Sequence, residues 1–231
     1  MSIKELLFAV ADIWMIAVGF TYGIKFIRNY KNYLLGIEWM IVATSGTNFL
    51  VYGLLKAGHD SPMYTGAAFL DAFSRSVGIT LILVLGLMQV THRYKPSTAV
   101  DIGAFALAAV AGLLLLGYQD TIGLPAKVFF IVVNVLTTIF LAYFVTRLWQ
   151  IGERGHAMGA GVATVCAFVI AATYDFVKIP GDDAEHTIFY ILALSTWGLQ
   201  MFVYYRAYRA FDAYNTRVAA RAATEDAPVT A

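Results

Sequence analysis

Seven apolar runs, each long enough to cross a bilayer, determine most of what this chain can fold into. A membrane-spanning helix needs about 20 predominantly apolar residues. Because the bilayer core contains no water, each run must satisfy its own backbone hydrogen bonds, which it does as a helix. The sequence therefore predicts an all-α, seven-transmembrane helix bundle with spans at 4–27, 34–56, 66–91, 98–118, 124–148, 157–178 and 187–210.

The composition agrees with a multi-pass protein of the cell membrane. Hydrophobic residues make up 60% of the chain and charged residues only 13%, whereas soluble domains have about 25% charged residues. We expect one membrane domain over 1–211 and a disordered cytoplasmic tail over 212–231. The net charge of +1 gives no indication of nucleic-acid binding. The single cysteine, Cys166, excludes an internal disulfide and a cysteine-based metal site.

The basic residues predict the orientation of the bundle. Cytoplasmic segments of membrane proteins carry an excess of lysine and arginine. If the N-terminus is outside, the inside segments hold eleven basic residues and the outside ends hold four, namely Lys4, Lys56, Lys127 and Lys178. The N-terminus is therefore expected outside and the C-terminus inside.

The first three spans resemble the last three in sequence. With a shift of 122 residues, Asp12 aligns with Asn134 and Tyr52 aligns with Tyr174. Lys25 likewise aligns with Arg147, and Asp60 with Asp182. Such a pattern predicts a parallel 3+1+3 pseudo-repeat, in which the fourth span is a connector and the functional site lies between the halves. Chance recurrence of aromatic and basic residues at membrane edges is the alternative.

The most informative polar residues are Asp71 and Arg75, which lie four apart and so share one face of the third span. A charge at membrane depth costs about 2.5–3.5 kcal/mol on insertion scales, so such residues usually face the bundle interior and indicate function. A structural ion pair is the simpler alternative. We expect a polar pocket near the outer half of the bundle, with Asp71, Arg75, Asp12 and Asp175 as catalytic candidates. The substrate-binding candidates are Asn48, Tyr52, Ser74, Asn134, Tyr174 and Gln200.

Several chemistries are disfavoured by the positions of individual residues. No lysine lies in the seventh span, which argues against a retinal Schiff base, and the four histidines lie in loops or at boundaries, which argues against a bis-histidine haem. A metal site formed by His59, Asp60, Asp182, Asp183 and His186 has no recognised ligand spacing. We therefore predict neither a metal nor a cofactor.

Part of the chain shows a pattern known from one family. The segment NYKNYLLGIEWMIVATSGTNFLVYGLL contains Tyr30, Lys31, Gly36, Asn48 and Tyr52, and Ser74-Arg75 is followed by Gly78 and Gly86. These motifs resemble the membrane-integral terpene cyclases of meroterpenoid and indole-terpenoid pathways. Two features depart from the family. The family has a glutamate beside a tryptophan in the second helix, and we assign it no counterpart here, because Asn48-Phe49 stands roughly at that place. The family's Ser-Arg segment lies late in the chain, whereas here Ser74-Arg75 lies in the third span.

The resemblance implies an intramembrane enzyme that acts on a lipophilic, isoprenoid-like substrate without a metal. Such an enzyme begins by protonating an alkene or epoxide, and aromatic faces then stabilise the carbocation. Asp71 is the expected proton donor, Asp12 or Asp175 its partner, and Arg75 their electrostatic support. The alternative is a small-solute or proton-coupled transporter, in which Asp71 and Asp175 carry protons and Asn48 and Asn134 bind the solute. A sensor or an accessory subunit is a third hypothesis.

Overall fold

The computed structural model describes residues 2–55, 58, 60–177, 179–183 and 186–225, and within these ranges the chain forms helices and no strands. Seven helices are long and apolar enough to span a membrane, which confirms the predicted fold class. Six of them are α1 Ile3–Tyr30, α2 Tyr33–Leu55, α3 Pro62–Thr91, α4 Thr98–Gly117, α6 Arg154–Thr173 and α7 Thr187–Glu225. The remaining helix, α5, comprises Gln119–Gln150, of which Gly123–Gln150 is the apolar part.

Two boundaries differ from the sequence prediction. Helix α6 ends at Thr173 rather than near residue 178. Helix α7 continues to Glu225, so residues 212–225 are helical where a disordered tail was expected, and residues 226–231 lie outside the described ranges. Asn215 helps to hold this extension, because its side-chain amide donates a hydrogen bond to the backbone carbonyl of Val90 at 2.9 Å.

Six of the helices form a closed ring, and α4 packs outside it against α3. Around the ring, α1 contacts α2 and α7, α2 contacts α3, α3 contacts α5, and α6 lies between α5 and α7. The arcs α1–α3 and α5–α7 thus meet where α1 contacts α7 and where α3 contacts α5, and the C-terminal part of α3 also contacts α7. This order is the one that a parallel repeat of three helices requires, and it is consistent with the predicted pseudo-repeat.

The contact between α1 and α2 depends on glycines at the point of closest approach. A Cβ atom at Gly23 would lie 2.7 Å from the Gly36 carbonyl oxygen, and one at Gly36 would lie 2.9 Å from the Gly23 carbonyl oxygen. Small residues of this kind let membrane helices approach closely. Any larger side chain at either position would force the two helices apart.

The beginning of α2 is held in place by Asn32, which is fully buried. Its side-chain oxygen accepts a hydrogen bond from the Leu35 backbone N–H at 3.1 Å, and its amide group donates to the Gly86 carbonyl at 2.9 Å. The first bond caps the helix and the second fastens it to α3. This attachment fixes the rotation of α2 just before Glu38, the residue on which the site below depends.

Helix α3 changes its winding in the middle. Residues Ser74–Ile82 form a π-helical segment between the α-helical parts Pro62–Phe73 and Leu83–Thr91. Short π-helical segments are rare in proteins, and those that occur are often found at functional sites. This one carries Ser74, Arg75 and Gly78, and it faces α2, α4 and α5.

The orientation in the membrane stays a prediction that labelling can test. In a Cys166→Ser background, a cysteine introduced by Asp183→Cys is expected to react with a membrane-impermeant maleimide added outside intact cells. Asp183 is exposed and lies between α6 and α7, at the end of the bundle where α1 begins. Reaction only after the membrane is permeabilised would contradict the predicted topology.

Candidate functional site

The bundle contains a partly open cavity of about 320 Å³. Its wall is formed by α1, α2, α3, α7 and Tyr174, the residue that follows α6. Most lining side chains are apolar or aromatic, including Trp39, Phe49, Tyr190, Trp197 and Tyr204. The volume falls in the range of ligand sites, which are about 300–1,000 Å³ and mostly apolar with a few polar groups.

A glutamate that the sequence analysis did not select lies at one end of this cavity. Glu38 of α2 is only 1% exposed, and among the described residues neither of its carboxylate oxygens has a hydrogen-bond partner. The hydroxyl of Ser74 lies beside the carboxyl group without meeting hydrogen-bond geometry. A buried carboxyl group with no partner is far less costly in its neutral, protonated form than as an anion.

The space for Glu38 exists because α3 has a glycine opposite it. A Cβ atom added at Gly78 would collide with the Glu38 carboxyl group. Gly78 lies within the π-helical segment, so the irregular winding of α3 and the missing side chain together accommodate the acid. The sequence signal was present in IEWM, where Glu38 precedes Trp39 within an apolar run.

The cavity also contains the pair that the sequence singled out. Arg75 lies 3.3 Å from Asp71 (Nη1 to Oδ2) and forms a second ion pair with Asp175. Tyr174 donates a hydrogen bond from its hydroxyl group to Asp71 Oδ1 at 3.2 Å. The two carboxylates therefore share one guanidinium.

Two aromatic rings hold the guanidinium from either side. The Arg75 Cζ atom lies 4.1 Å from the centroid of the Phe130 ring and 4.0 Å from that of Tyr174. A cation over an aromatic face gains roughly 0.5–2 kcal/mol, more when it is desolvated. Arg75 is thereby fixed against α5 and against the segment after α6, and its side chain is only 13% exposed.

Four other predicted residues line the same cavity as Asp71 and Arg75. These are Tyr52 of α2, Ser74 of α3, Tyr174 and Gln200 of α7. The Asp71 side chain remains 36% exposed because it faces the cavity. The structure therefore brings six of the ten predicted site residues to one cavity, although their roles stay predictions.

Four predicted residues are not part of the cavity wall, which corrects the expected pocket, and one of them, Asp175, is the partner of Arg75. Asp12 is fully buried behind the cavity wall, where a Cβ atom at Gly46 would lie 2.7 Å from its Oδ1. Asn48 donates a hydrogen bond to the Met63 carbonyl at 2.9 Å and joins α2 to α3. Asn134 faces a separate cavity of about 30 Å³ on the other side of Arg75.

The chemistry of the cavity follows from these groups. Among the described residues, no group of three or more His, Cys, Asp and Glu side chains could hold a metal ion. His59 and Glu185 lie outside those ranges. The cavity offers a ligand a buried carboxyl group, tyrosine hydroxyl groups and aromatic side chains.

Comparison with family models, with curated proteins and with solved structures finds no match for this chain. Its function must therefore be inferred from the cavity. The two informative groups are the isolated acid, Glu38, and the ion-paired acid, Asp71.

The contact of Glu38 with Gly78 makes a prediction about stability. Gly78→Ala should destabilise the protein, because the new methyl group would meet the Glu38 carboxyl group. In a Glu38→Ala background the same substitution should cost much less, with a coupling free energy of about 0.5–3 kcal/mol. Thermal unfolding of the wild type, the two single variants and the double variant measures this coupling free energy. Gly103→Ala, where no atom lies within 4 Å of the new Cβ, is the matched control; equal costs in both backgrounds would disprove the contact.

Arg75 is expected to be the more important member of its pair for folding. Arg75→Ala leaves two carboxylates without a counter-charge, and breaking a buried pair in this way costs about 3–5 kcal/mol. Asp71→Asn should cost less, because Arg75 keeps Asp175 and both aromatic rings. Yield and unfolding temperature of the purified variants measure the difference. A folded Arg75→Ala protein of unchanged stability would show that the ion pairs do not hold the bundle.

Proposed function

We propose that this protein is an intramembrane enzyme that converts a lipophilic, isoprenoid-like substrate by acid chemistry, with Glu38 as the proton donor. The observation that carries the proposal is a buried carboxyl group that has no ion-pair partner among the described residues and only the Ser74 hydroxyl beside it, in a cavity lined by aromatic side chains. A general acid must hold a proton at the working pH and must reach the substrate. Glu38 meets both conditions.

Glu38 fits the role of donor better than Asp71, which was the expectation from the sequence. Asp71 lies beside the guanidinium of Arg75 and accepts a hydrogen bond from Tyr174. Both contacts favour the carboxylate, which accepts protons rather than donating them. Among the described residues, Glu38 has no cation or hydrogen-bond donor bound to it. Asp71 then serves to bind or orient the substrate, and Arg75 holds Asp71.

The proposed reaction begins when Glu38 transfers its proton to a terminal alkene carbon, or to the oxygen of a terminal epoxide. In the alkene case the π electrons form the new C–H bond and leave a cation on the neighbouring carbon. A second alkene of the same chain attacks this cation, so that a ring closes and the charge moves along the chain. Loss of a proton from carbon back to the Glu38 carboxylate ends the sequence, and the product is an isomer of the substrate.

The aromatic wall suits the charged intermediates of such a reaction. Trp39, Phe49, Trp197 and Tyr204 line the cavity, and aromatic faces attract cations through their quadrupoles. The resemblance to membrane-integral terpene cyclases supports the same chemistry. That family has a glutamate beside a tryptophan in its second helix, and we propose that Glu38, which precedes Trp39 in α2, is its counterpart.

A proton-coupled transporter is the second candidate, favoured by the ring of two three-helix arcs around a central cavity. In a parallel-repeat transporter the solute site lies at the interface of the halves, and here Asp71 and Asp175 meet at Arg75 across that interface. Proteoliposomes separate the two candidates. A transporter would acidify the lumen when solute is supplied, whereas an enzyme would change the substrate without moving protons.

The enzyme hypothesis predicts the behaviour of Glu38→Gln. This substitution keeps the size of the side chain but removes the acidic proton, so turnover should fall by about 10²–10⁴-fold while the protein still folds. Purified protein would be supplied with aromatic compounds that carry linear prenyl chains, with and without a terminal epoxide. Products of unchanged mass are expected in H2O. In D2O the alkene substrates should gain a carbon-bound deuterium.

A matched control is available at the start of α1. Glu5 closes a capping box with Ser2, and glutamine can replace glutamate in that motif. Glu5→Gln should therefore keep full activity. If folded Glu38→Gln protein retained wild-type turnover, the proton donor would have to be another residue.

A further inference from the structure

The end of the cavity away from Glu38 has a different chemical character. Tyrosine rings gather there: Tyr52 and Tyr64 lie 6.1 Å apart between centroids, and the hydroxyl groups of Tyr174 and Tyr190 lie 3.5 Å apart. Phe49 packs on Tyr190 with a centroid distance of 5.0 Å. We call this part, formed by Phe49, Tyr52, Tyr64, Asp71, Tyr174 and Tyr190, the tyrosine end.

The acidic side chain at the tyrosine end is more exposed than the basic one. Asp71 is 36% exposed to the cavity, whereas Arg75 is 13% exposed. The Arg75 guanidinium is already paired with Asp175 and covered by the rings of Phe130 and Tyr174. Among the described residues lining the cavity, Arg75 is the only cationic side chain.

The nearby amine of Lys127 does not change this balance inside the cavity. Lys127 donates a hydrogen bond to the backbone carbonyl of Asp175 at 3.3 Å and is not part of the cavity wall. Among the described residues of the wall, Asp71 therefore has one charged partner, Arg75, and Arg75 is also paired with Asp175. A positive group entering the cavity would complete the neutralisation of Asp71.

We propose that the tyrosine end is a binding subsite for an organic cation, such as a quaternary ammonium or a protonated amine. An anionic group combined with several aromatic faces is the arrangement that recognises such cations. A neutral group of the same shape would gain contact with the rings but no charge attraction. We therefore expect the tyrosine end to prefer a cationic group to a neutral group of the same shape.

If the proposed function holds, the subsite also predicts that the substrate carries a cationic group; this second inference rests on the proposed function. Asp71 and Gly78, which touches Glu38, are seven residues apart on α3, and Ser74, whose hydroxyl lies beside the Glu38 carboxyl group, stands between them. A substrate could thus place a cationic head at the tyrosine end while its prenyl chain reaches Glu38. Binding itself needs no turnover and is measured separately.

Choline and 3,3-dimethylbutan-1-ol provide a direct test, because the alcohol is the uncharged carbon isostere of choline. Binding to the purified full-length protein in nanodiscs would be followed by calorimetry and by tryptophan fluorescence, since Trp39 and Trp197 line the cavity. Choline should bind at least tenfold more tightly than the alcohol. Asp71→Asn should remove this preference, whereas Asp101→Asn, on α4 outside the ring, should keep it.

Two further variants keep the test decisive. If Asp71→Asn does not fold, Tyr190→Leu should still lower the affinity for choline, because it removes an aromatic face. Glu38→Gln should bind choline as the wild type does, so that failure of the subsite and failure of the acid chemistry are distinguishable. Equal affinity for the two compounds, or an unchanged preference in folded Asp71→Asn protein, would overturn the proposal.

Discussion

The absence of water in the bilayer core is the constraint on which this structure depends, and Arg75 shows its effect most clearly. A guanidinium stays charged at any accessible pH, so inside the membrane it must find counter-charges and donate its hydrogen bonds. Here it pairs with Asp71 and Asp175 and lies between two aromatic rings. These partners come from α3, α5 and the segment after α6. One desolvated cation thus joins the two halves of the helix ring where α3 meets α5.

Glu38 presents the opposite solution to the same constraint. No described residue compensates a charge on it, so the group is tolerated as a neutral acid in a space that Gly78 leaves open. An unsatisfied polar group in a native structure requires an explanation, and a catalytic role is one such explanation. The π-helical segment Ser74–Ile82 supports this view, because it interrupts the regular winding of α3 beside the acid.

The sequence predicted the fold well because the length of a span is set by the bilayer, which does not depend on tertiary contacts. It also predicted the pairing of Asp71 with Arg75, since spacing along one helix suffices for that. It did not separate Asn48, which bonds to Met63, or Asp12, which lies behind Gly46, from the residues that face the cavity. A polar stripe fixes one face of a helix but not the neighbour that the face meets. Glu38 was missed because it stands near the start of its span, where a charged residue usually belongs to the interface.

Glu38 and Asp71 need opposite electrostatic surroundings for the functions that we propose for them. A proton donor must have no cation nearby, whereas a carboxylate that attracts a cation must be kept charged by groups such as Arg75 and Tyr174. Placing both functions in one small pocket would let either group disturb the protonation of the other. In this cavity the two acids stand on different helices and have different neighbours: Asp71 of α3 is paired with Arg75, whereas the carboxyl group of Glu38 of α2 lies against Gly78. The wall of the cavity therefore offers a charged group and a neutral acid at different positions, which suits a substrate that is polar at one end and apolar at the other.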